Sequence, residues 1–242
     1  MSYPRILGIG TANPPIRLTQ EQSFHAAGYE SERIRKMFLN SDIEYRHFYF
    51  GGTLNRKESS DQLNQRYLSG ALKTGCRAIL NCLESAGTSV QDVDFLAVCT
   101  CTGYTCPDIG SRLIAHMGFR KNVQRAPIIG LGCAGAIPTL QRATDFVRAN
   151  PGRRALMLAV EICSACYYVD KHSRRLLAMR FAPTAPLPSC SAQKSKLKTV
   201  IHRSSTLRLS SILSRSERSD SNIGMASCES FLERRSSTLR VP

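Results

Sequence analysis

The chain has 242 residues, of which 42% are hydrophobic, and it carries a formal net charge of +15. This length suits one large domain or two small ones, and the absence of a run of about 18 apolar residues argues against a transmembrane helix. The first five residues lead directly into a strand-like pattern, so we expect no secretory leader and a cytoplasmic protein with reduced thiols.

The first part of the chain alternates between strand and helix patterns. A strand is predicted over 5–10, and Thr19-Gln20-Glu21-Gln22 is a capping box that begins a helix. The further predicted elements are, in chain order, a helix over 32–40, a long helix from Ser59 or Ser60 to about residue 86, a strand over 95–100, a helix over 111–117, a strand over 127–130, a helix over 134–149 and a strand over 155–163. Strands separated by helices favour an α/β fold with a parallel sheet.

A cysteine stands at one of the predicted strand-to-helix turns. Cys133 lies within Gly-Leu-Gly-Cys-Ala-Gly-Ala-Ile-Pro at 130–138, after the apolar run 126–129 and before the helical pattern. A helix N-terminus favours the thiolate, which is the nucleophilic form, so the position suits an acyl-thioester enzyme. The alternative is a small buried hydrophobic residue, since this is the usual role of a buried cysteine.

The other cysteines show no regular framework. The chain has ten, and Cys163 and Cys166 form a C-x-x-C pair without a second pair to accompany it. A zinc or redox site normally needs further ligands or a matching motif, so no metal is predicted.

Five segments carry a family resemblance. They read Ile-Gly-Thr-Ala-Asn-Pro-Pro at 9–15, Ser-Asp-Ile-Glu-Tyr-Arg-His-Phe-Tyr at 41–49, Asp-Phe-Leu-Ala-Val-Cys-Thr-Cys-Thr-Gly at 94–103 with its continuation to Pro107, the cysteine turn at 130–138, and Leu-Met-Leu-Ala-Val-Glu-Ile-Cys at 156–163. In order and spacing they resemble the N-terminal half of the chalcone synthase-like type III polyketide synthases. These enzymes belong to the thiolase-fold superfamily. The resemblance covers 1–170 and implies the first of two thiolase-like halves.

The resemblance implies roles for particular residues. It makes Cys133 the nucleophile, and it places Arg33 and Lys36 where the family contacts the phosphates of coenzyme A. A cationic pair three residues apart on a helix suits such a ligand, although most such pairs are solvated helix faces.

Three further positions match the family's loop after the strand at 95–100. Cys101 and Thr102 fall where the family lines its acyl pocket. Cys106-Pro107 matches a segment at the dimer interface, where the family's cis peptide bond also lies. Ordinary loop packing is the alternative for all three.

The function implied is that of an acyltransferase of polyketide biosynthesis. It would condense a coenzyme A-linked starter with malonyl-CoA units through a cysteine thioester, as a homodimer, with these thioesters as substrates and no other cofactor. The family's partner histidine and asparagine lie in its second half, and none of the five histidines here falls in a block that matches that of the partner histidine. The alternatives are a non-catalytic fragment, inert or bound to an intact synthase, and a ketoacyl synthase of the initiating type.

The composition changes near residue 170. Residues 171–242 hold 14 Lys and Arg against 4 Asp and Glu, with 16 serines and one glycine, Gly224. We expect a poorly ordered basic tail without family resemblance. It has no aromatic platform for stacking bases, which argues against nucleic-acid binding.

A change of reading frame near codon 170 would explain the tail. Possible codons for residues 178–188, read one nucleotide out of frame, spell Gly-Asn-Ala-Ile-Cys-Ala-Asp-Gly-Ala-Ala-Ala, which resembles the family's next segment.

Overall fold

The computed structural model describes residues 3–49, 59–165 and the backbone of 199–203. In chain order the helices and strands are β1 (Pro4–Ile9), β2 (Ile16–Thr19), α1 (Gln20–Ala26), α2 (Glu32–Leu39), β3 (Tyr45–Phe48), α3 (Ser60–Ser85), β4 (Phe95–Thr100), α4 (Ile109–Met117), β5 (Gln124–Ile129), α5 (Ala136–Ala149), β6 (Arg154–Ala159) and β7 (Thr199–Arg203). Short 3₁₀ turns occupy Val90–Asp92, Gly132–Gly135 and Cys163–Ala165. Among the helices of these ranges, none combines the length and the apolar composition that crossing a bilayer requires.

A mixed sheet forms the centre of the fold. Strand β4 pairs in parallel with β5 on one side and with β6 on the other. Strand β7 pairs antiparallel with both β6 and β1, so the strand order is β1-β7-β6-β4-β5. Strands β2 and β3 form a separate antiparallel pair. The expected α/β fold class with a mixed or parallel sheet is therefore confirmed.

Helices cover both faces of this sheet. One face of β4 and β6 packs against α5, through Phe95, Ala97, Ala143, Val147, Ala155 and Met157. On the opposite face lie α3 and α4, where a Cβ built on Gly75 of α3 would stand 3.5 Å from Leu113 of α4 and 3.6 Å from Leu158 of β6. All six residues of β4 are buried, because this strand has neighbours on both edges and both faces.

Glycine allows β1 to approach α3 closely. A Cβ at Gly10, directly after β1, would stand 2.2 Å from the backbone nitrogen of Cys82. A Cβ at Gly8 would stand 2.7 Å from the carbonyl oxygen of the same residue. Any larger residue would therefore push the strand away from the helix.

Thr19 caps α1 as predicted, and of the two residues predicted to begin α3, Ser59 and Ser60, Ser59 is the N-cap. The hydroxyls of Thr19 and Ser59 accept hydrogen bonds from the backbone of Gln22 and Gln62, each at 3.2 Å. The glutamine side chains in turn accept from the backbone N–H groups of Thr19 and Ser59, at 2.9 and 2.8 Å. These reciprocal bonds satisfy amides that the first helical turn leaves without an intrahelical partner.

Several boundaries differ from the sequence predictions. Strand β5 begins at Gln124 rather than at residue 127, because its first residues are exposed and polar and owe their strand structure to backbone pairing with β4. Helix α5 begins at Ala136 rather than at residue 134, because a 3₁₀ turn precedes it. Strand β6 ends at Ala159, before the predicted residue 163. The small sheet of β2 and β3 was not predicted as strands.

One segment of the expected tail departs from that expectation. Residues 199–203 form β7, which pairs with both β1 and β6 in the central sheet. The segment contains Thr199, Val200 and Ile201, a β-branched run that favours strand structure. Because this run is short, it has little effect on the composition of residues 171–242, and that composition therefore did not predict a strand. The rest of that range, the boundary near residue 170 and Cys166 lie outside the described residues.

Candidate functional site

The three parallel strands end at one edge of the sheet, here called the carboxyl edge. At this edge Thr100 of β4 pairs with Ile129 of β5, and Cys99 pairs with Ala159 of β6. The segments that follow the strands come into contact: the backbone N–H of Val160 donates to the carbonyl of Cys99 at 3.0 Å. In open α/β sheets this edge is the usual place for ligands.

Cys133 lies at the carboxyl edge, in the turn between β5 and α5. The turn reverses the chain through two glycines with positive φ, Gly130 at 82° and Gly132 at 58°. Cys133 is exposed and stands two residues before Gly135, the N-cap of α5. The sequence placed Cys133 at a helix start after a central strand. The predicted position at the start of a helix is correct. The predicted position after a central strand is wrong, because β5 lies at the edge of the sheet formed by the described strands.

The turn is seated on β4 through small residues. A Cβ on Gly135 would stand 3.6 Å from the Cβ of Cys99, so the turn and the strand are in van der Waals contact. The hydroxyl of Thr139, a fully buried residue, donates to the carbonyl of Gly135 at 2.6 Å. These contacts fix the position of Cys133 relative to the end of β4.

The surroundings of three cysteines differ in ways that matter for reactivity. Cys133 precedes α5, whose first turn contains no acidic residue to offset the positive end of the helix dipole. Cys106 is also exposed, but the helix that follows it is capped by Asp108, whose carboxylate accepts from the backbone N–H groups of Gly110 and Ser111 in the first turn of α4. Burial raises the pKa of the Cys99 thiol. Among these three, Cys133 has the surroundings that best favour a reactive thiolate.

The residues 101–103, here called the pocket loop, are held by a carboxylate from the next strand. Glu161 follows β6, and its two oxygens accept hydrogen bonds from the backbone N–H groups of Cys101 at 2.8 Å and Thr102 at 3.0 Å. The backbone N–H of Ile162 donates to the hydroxyl of Thr102 at 3.0 Å. Burial raises the pKa of Glu161, although these hydrogen bonds act in the opposite direction.

A buried tyrosine supports the same loop from α3. Tyr67 is 1% exposed, and its hydroxyl donates to the hydroxyl oxygen of Thr100 at 3.0 Å. A Cβ on Gly103 would stand 2.1 Å from the ring of Tyr67, so the loop lies directly on the ring. Neither Tyr67 nor Glu161 was predicted from the sequence to be part of a site. The signal for Glu161 is a single acidic residue at the end of an apolar strand.

Arg33 and Lys36 lie on α2. Both are exposed, whereas Arg35 between them is engaged with Glu21 at 2.8 Å and with Glu32 at 3.3 Å. Helix α2 packs against α1 through a T-shaped contact of two buried phenylalanines, with ring centroids 5.9 Å apart. The structure thus places Cys101, Thr102 and Cys133 after neighbouring parallel strands at the same edge of the sheet, whereas Arg33 and Lys36 lie on a helix that packs against α1.

The peptide bond between Cys106 and Pro107 is cis, as the resemblance implied. Tyr104, earlier in the same loop, approaches the cysteine turn, because its hydroxyl lies 3.1 Å from the Cβ position of Gly130. Within 3–49 and 59–165, no group of histidine, cysteine, aspartate or glutamate side chains is arranged to hold a metal ion.

Comparison with known proteins gives a family and a set of relatives. The family model described as chalcone and stilbene synthases, N-terminal domain, matches residues 31–176. A 3,5-dihydroxyphenylacetyl-CoA synthase of Streptomyces toyocaensis is 31% identical over 175 residues, covering 71% of this chain and 45% of that protein. A 1,3,6,8-tetrahydroxynaphthalene synthase of Streptomyces peucetius subsp. caesius is 28% identical, with 72% and 48% covered. The chain thus spans about half the length of these relatives.

Solved structures agree with the fold. PKS-I from the brown alga Ectocarpus siliculosus superposes with a TM-score of 0.69 at 23% identity, covering 85% of this chain and 57% of that one. A bacterial type III polyketide synthase, the 1,3,6,8-tetrahydroxynaphthalene synthase of Streptomyces coelicolor, superposes with a TM-score of 0.62 at 27% identity. It covers 73% of this chain and 52% of that one.

Proposed function

Because this chain belongs to the chalcone and stilbene synthase family, we propose that Cys133 accepts an acyl group from a coenzyme A thioester. The observation that carries the proposal is the position of Cys133, an exposed thiol in the turn between β5 and the N-terminus of α5. The glycines of the turn leave space for a substrate to approach, and the helix dipole favours the thiolate.

The proposed step is a thioester exchange. The Cys133 thiolate attacks the carbonyl carbon of the acyl thioester, and a tetrahedral intermediate with a negatively charged oxygen forms. The bond from carbon to the coenzyme A sulfur then breaks, and the departing thiolate takes up a proton from water. Backbone N–H groups at the start of α5 are proposed to donate hydrogen bonds to the developing negative charge.

The acyl group would lie between the cysteine turn and the pocket loop. Cys101 and Thr102 are proposed to line this space. Leu131 and Ile137 flank Cys133 and are 53% and 74% exposed, so the rim of the turn offers apolar surface to an acyl chain.

The exposed cations on α2 are proposed to bind the other end of the substrate. Arg33 and Lys36 lie three residues apart, and no ion pair engages either of them among the described residues. Phosphate groups of coenzyme A carry the charge that such a pair attracts.

We propose the complete reaction as polyketide formation, in which a homodimer extends the acyl group on Cys133 with malonyl-CoA. In that dimer, Cys106 is proposed to reach the partner's cavity. The family's second half supplies a histidine and an asparagine for malonyl decarboxylation, and removing one donor of this kind costs about 10²–10³ in rate. We therefore expect the 242-residue chain alone to accept an acyl group without making polyketides.

Release of coenzyme A from straight-chain acyl-CoA thioesters tests this proposal. The purified chain should release one coenzyme A per chain in a single burst, and the Cys133→Ala variant should release none. Malonyl-CoA added after the burst should give no extended product. An equal burst from Cys133→Ala would refute the assignment, and turnover like that of a full-length relative would refute the expected limit to acyl loading.

A second candidate function is that of a non-catalytic partner of a full-length synthase. The observation that favours it is the coverage, since the chain spans 45–48% of the curated relatives described above. This function predicts no burst from the wild-type chain, together with stable association between the chain and a full-length relative during gel filtration.

A further inference from the structure

Glu161 connects the ends of two neighbouring parallel strands. It follows β6, whereas Cys101 and Thr102 follow β4, and the two strands pair in parallel up to Cys99 and Ala159. Its carboxylate is bidentate toward the pocket loop, since one oxygen accepts from Cys101 at 2.8 Å and the other from Thr102 at 3.0 Å. Two donors on consecutive residues hold a loop in one orientation more firmly than a single hydrogen bond does.

A reciprocal hydrogen bond completes the link. The backbone N–H of Ile162, the residue after Glu161, donates to the hydroxyl oxygen of Thr102 at 3.0 Å. Three hydrogen bonds donated by backbone N–H groups thus join the loop and the segment after β6, two toward Glu161 and one toward Thr102. On the other side of the loop, the ring of Tyr67 occupies the space that a side chain at residue 103 would need.

The contacts of Glu161 indicate that its carboxylate has a structural role. Its described hydrogen bonds come from the backbone and the side chains of Cys101 and Thr102, and burial raises its pKa while these hydrogen bonds lower it. A carboxylate that is partly buried needs such donors to offset the loss of water. Both oxygens already accept bonds from the loop, so the acid serves to hold the loop in place.

We propose that Glu161 is a positioning residue that sets which acyl groups Cys133 accepts, by fixing the pocket loop. The inference rests on the proposed function of Cys133. The side chains of Cys101 and Thr102 leave the backbone at the amides that Glu161 holds. Movement of those amides therefore changes the width of the space beside the cysteine turn, and with it the preferred length of the acyl chain.

The Glu161→Gln variant tests the hydrogen bonds directly. Glutamine replaces one carboxylate oxygen with an NH₂ group that faces a backbone N–H, so one of the two bonds is lost. Hydrogen exchange followed by NMR should show the amides of Cys101 and Thr102 exchanging about 10-fold faster or more, because a bond to a charged acceptor is lost. The β4 amides at 95–99 should not change, and Glu84→Gln, at an exposed site on α3, is the matched control.

The acyl selectivity of the variant tests the second part of the inference, which is that Glu161 sets which acyl groups Cys133 accepts. Rates of acyl transfer to the chain from acetyl-, hexanoyl- and decanoyl-CoA should change relative to one another in Glu161→Gln, while alkylation of Cys133 by iodoacetamide stays the same. Unchanged exchange at 101–102 would overturn the inference, and so would faster exchange with unchanged selectivity. If the wild-type chain accepts no acyl group, the proposed function and the selectivity claim both fail, and the exchange rates still decide whether Glu161 holds the loop.

A second pair of variants covers the case in which Glu161→Gln does not fold. Thr102→Ser keeps the hydroxyl that accepts from Ile162, whereas Thr102→Val removes it. Faster exchange of the Ile162 amide in Thr102→Val, but not in Thr102→Ser, supports the link. Equal exchange in the two variants contradicts it.

Discussion

Replacing Gly103 with alanine tests whether the pocket loop is pressed against Tyr67. The new Cβ would stand 2.1 and 2.2 Å from two carbons of the Tyr67 ring, whereas carbon atoms pack at about 3.5–4.0 Å. The ring has little freedom to move away, because Tyr67 is 1% exposed and its hydroxyl is bonded to Thr100. Gly103 does not have a positive φ, so the strain comes from the contact alone.

Two responses are open to the Gly103→Ala variant, and both are unfavourable. If the surroundings shift to accept the methyl group, overpacking costs about 1–3 kcal/mol. If the loop lifts, the bonds from Cys101 and Thr102 to Glu161 are lost, at about 1.5–3 kcal/mol for each bond to a charged group. The variant takes the less costly response, so we expect the free energy of unfolding to fall by about 1–3 kcal/mol.

Urea unfolding followed by circular dichroism measures this change, with Gly75→Ala as the matched control. A Cβ at Gly75 meets its nearest neighbour at 3.5 Å, which is an ordinary contact, and alanine is favoured over glycine within a helix by about 1 kcal/mol. The control should therefore change stability by less than about 1 kcal/mol. If Gly103→Ala is no less stable than Gly75→Ala, the position of the pocket loop described here is wrong.

Three further predictions concern the sheet and the tail. Burial opposes ionisation of Asp94, but hydrogen bonds from Arg154, Arg153 and Arg120 outweigh it and lower its pKa. This carboxylate therefore stabilises the fold above the unfolded-state value of about 3.9, and that contribution is lost as the pH falls below it. Asp94→Asn should flatten this part of the plot of unfolding free energy against pH, and an unaltered plot would contradict the assignment. Ile201→Pro should destabilise the chain by more than Ile201→Ala, because proline removes a backbone donor from a strand paired on both sides; equal effects would argue against β7. Finally, the natural DNA beyond codon 170 should spell the family's second half in another frame, and its absence from every frame would refute the frame-shift hypothesis.

The sequence predicted best those elements whose signals are local. Thr19 with Gln22 contains within four residues all the groups that form a capping box, so α1 begins where the pattern placed it. For α3 the pattern offered Ser59 or Ser60, and Ser59 is the N-cap. The apolar run of β4 predicted a buried strand with the bounds that the structure shows. The glycine-rich turn likewise placed Cys133 before a helix.

The features that the sequence did not predict depend on contacts between distant segments. The bonds of Glu161 to the pocket loop join residues about 60 positions apart, and the hydroxyl bond from Tyr67 to Thr100 spans 33. Strand β7 is short and surrounded by serine and basic residues, so only its pairing with β1 and β6 distinguishes it from a tail. Such pairings are fixed by tertiary packing rather than by local propensity.

The central claim is that Cys133 accepts the acyl group, and peptide mass spectrometry tests it most directly. The purified chain is incubated with hexanoyl-CoA, digested, and searched for the added acyl mass on each cysteine peptide. We expect the acyl mass on the Cys133 peptide, its loss in Cys133→Ala and its persistence in Cys106→Ala, where another exposed cysteine has been removed. Acylation of Cys106 in place of Cys133, or of no cysteine at all, would contradict that claim.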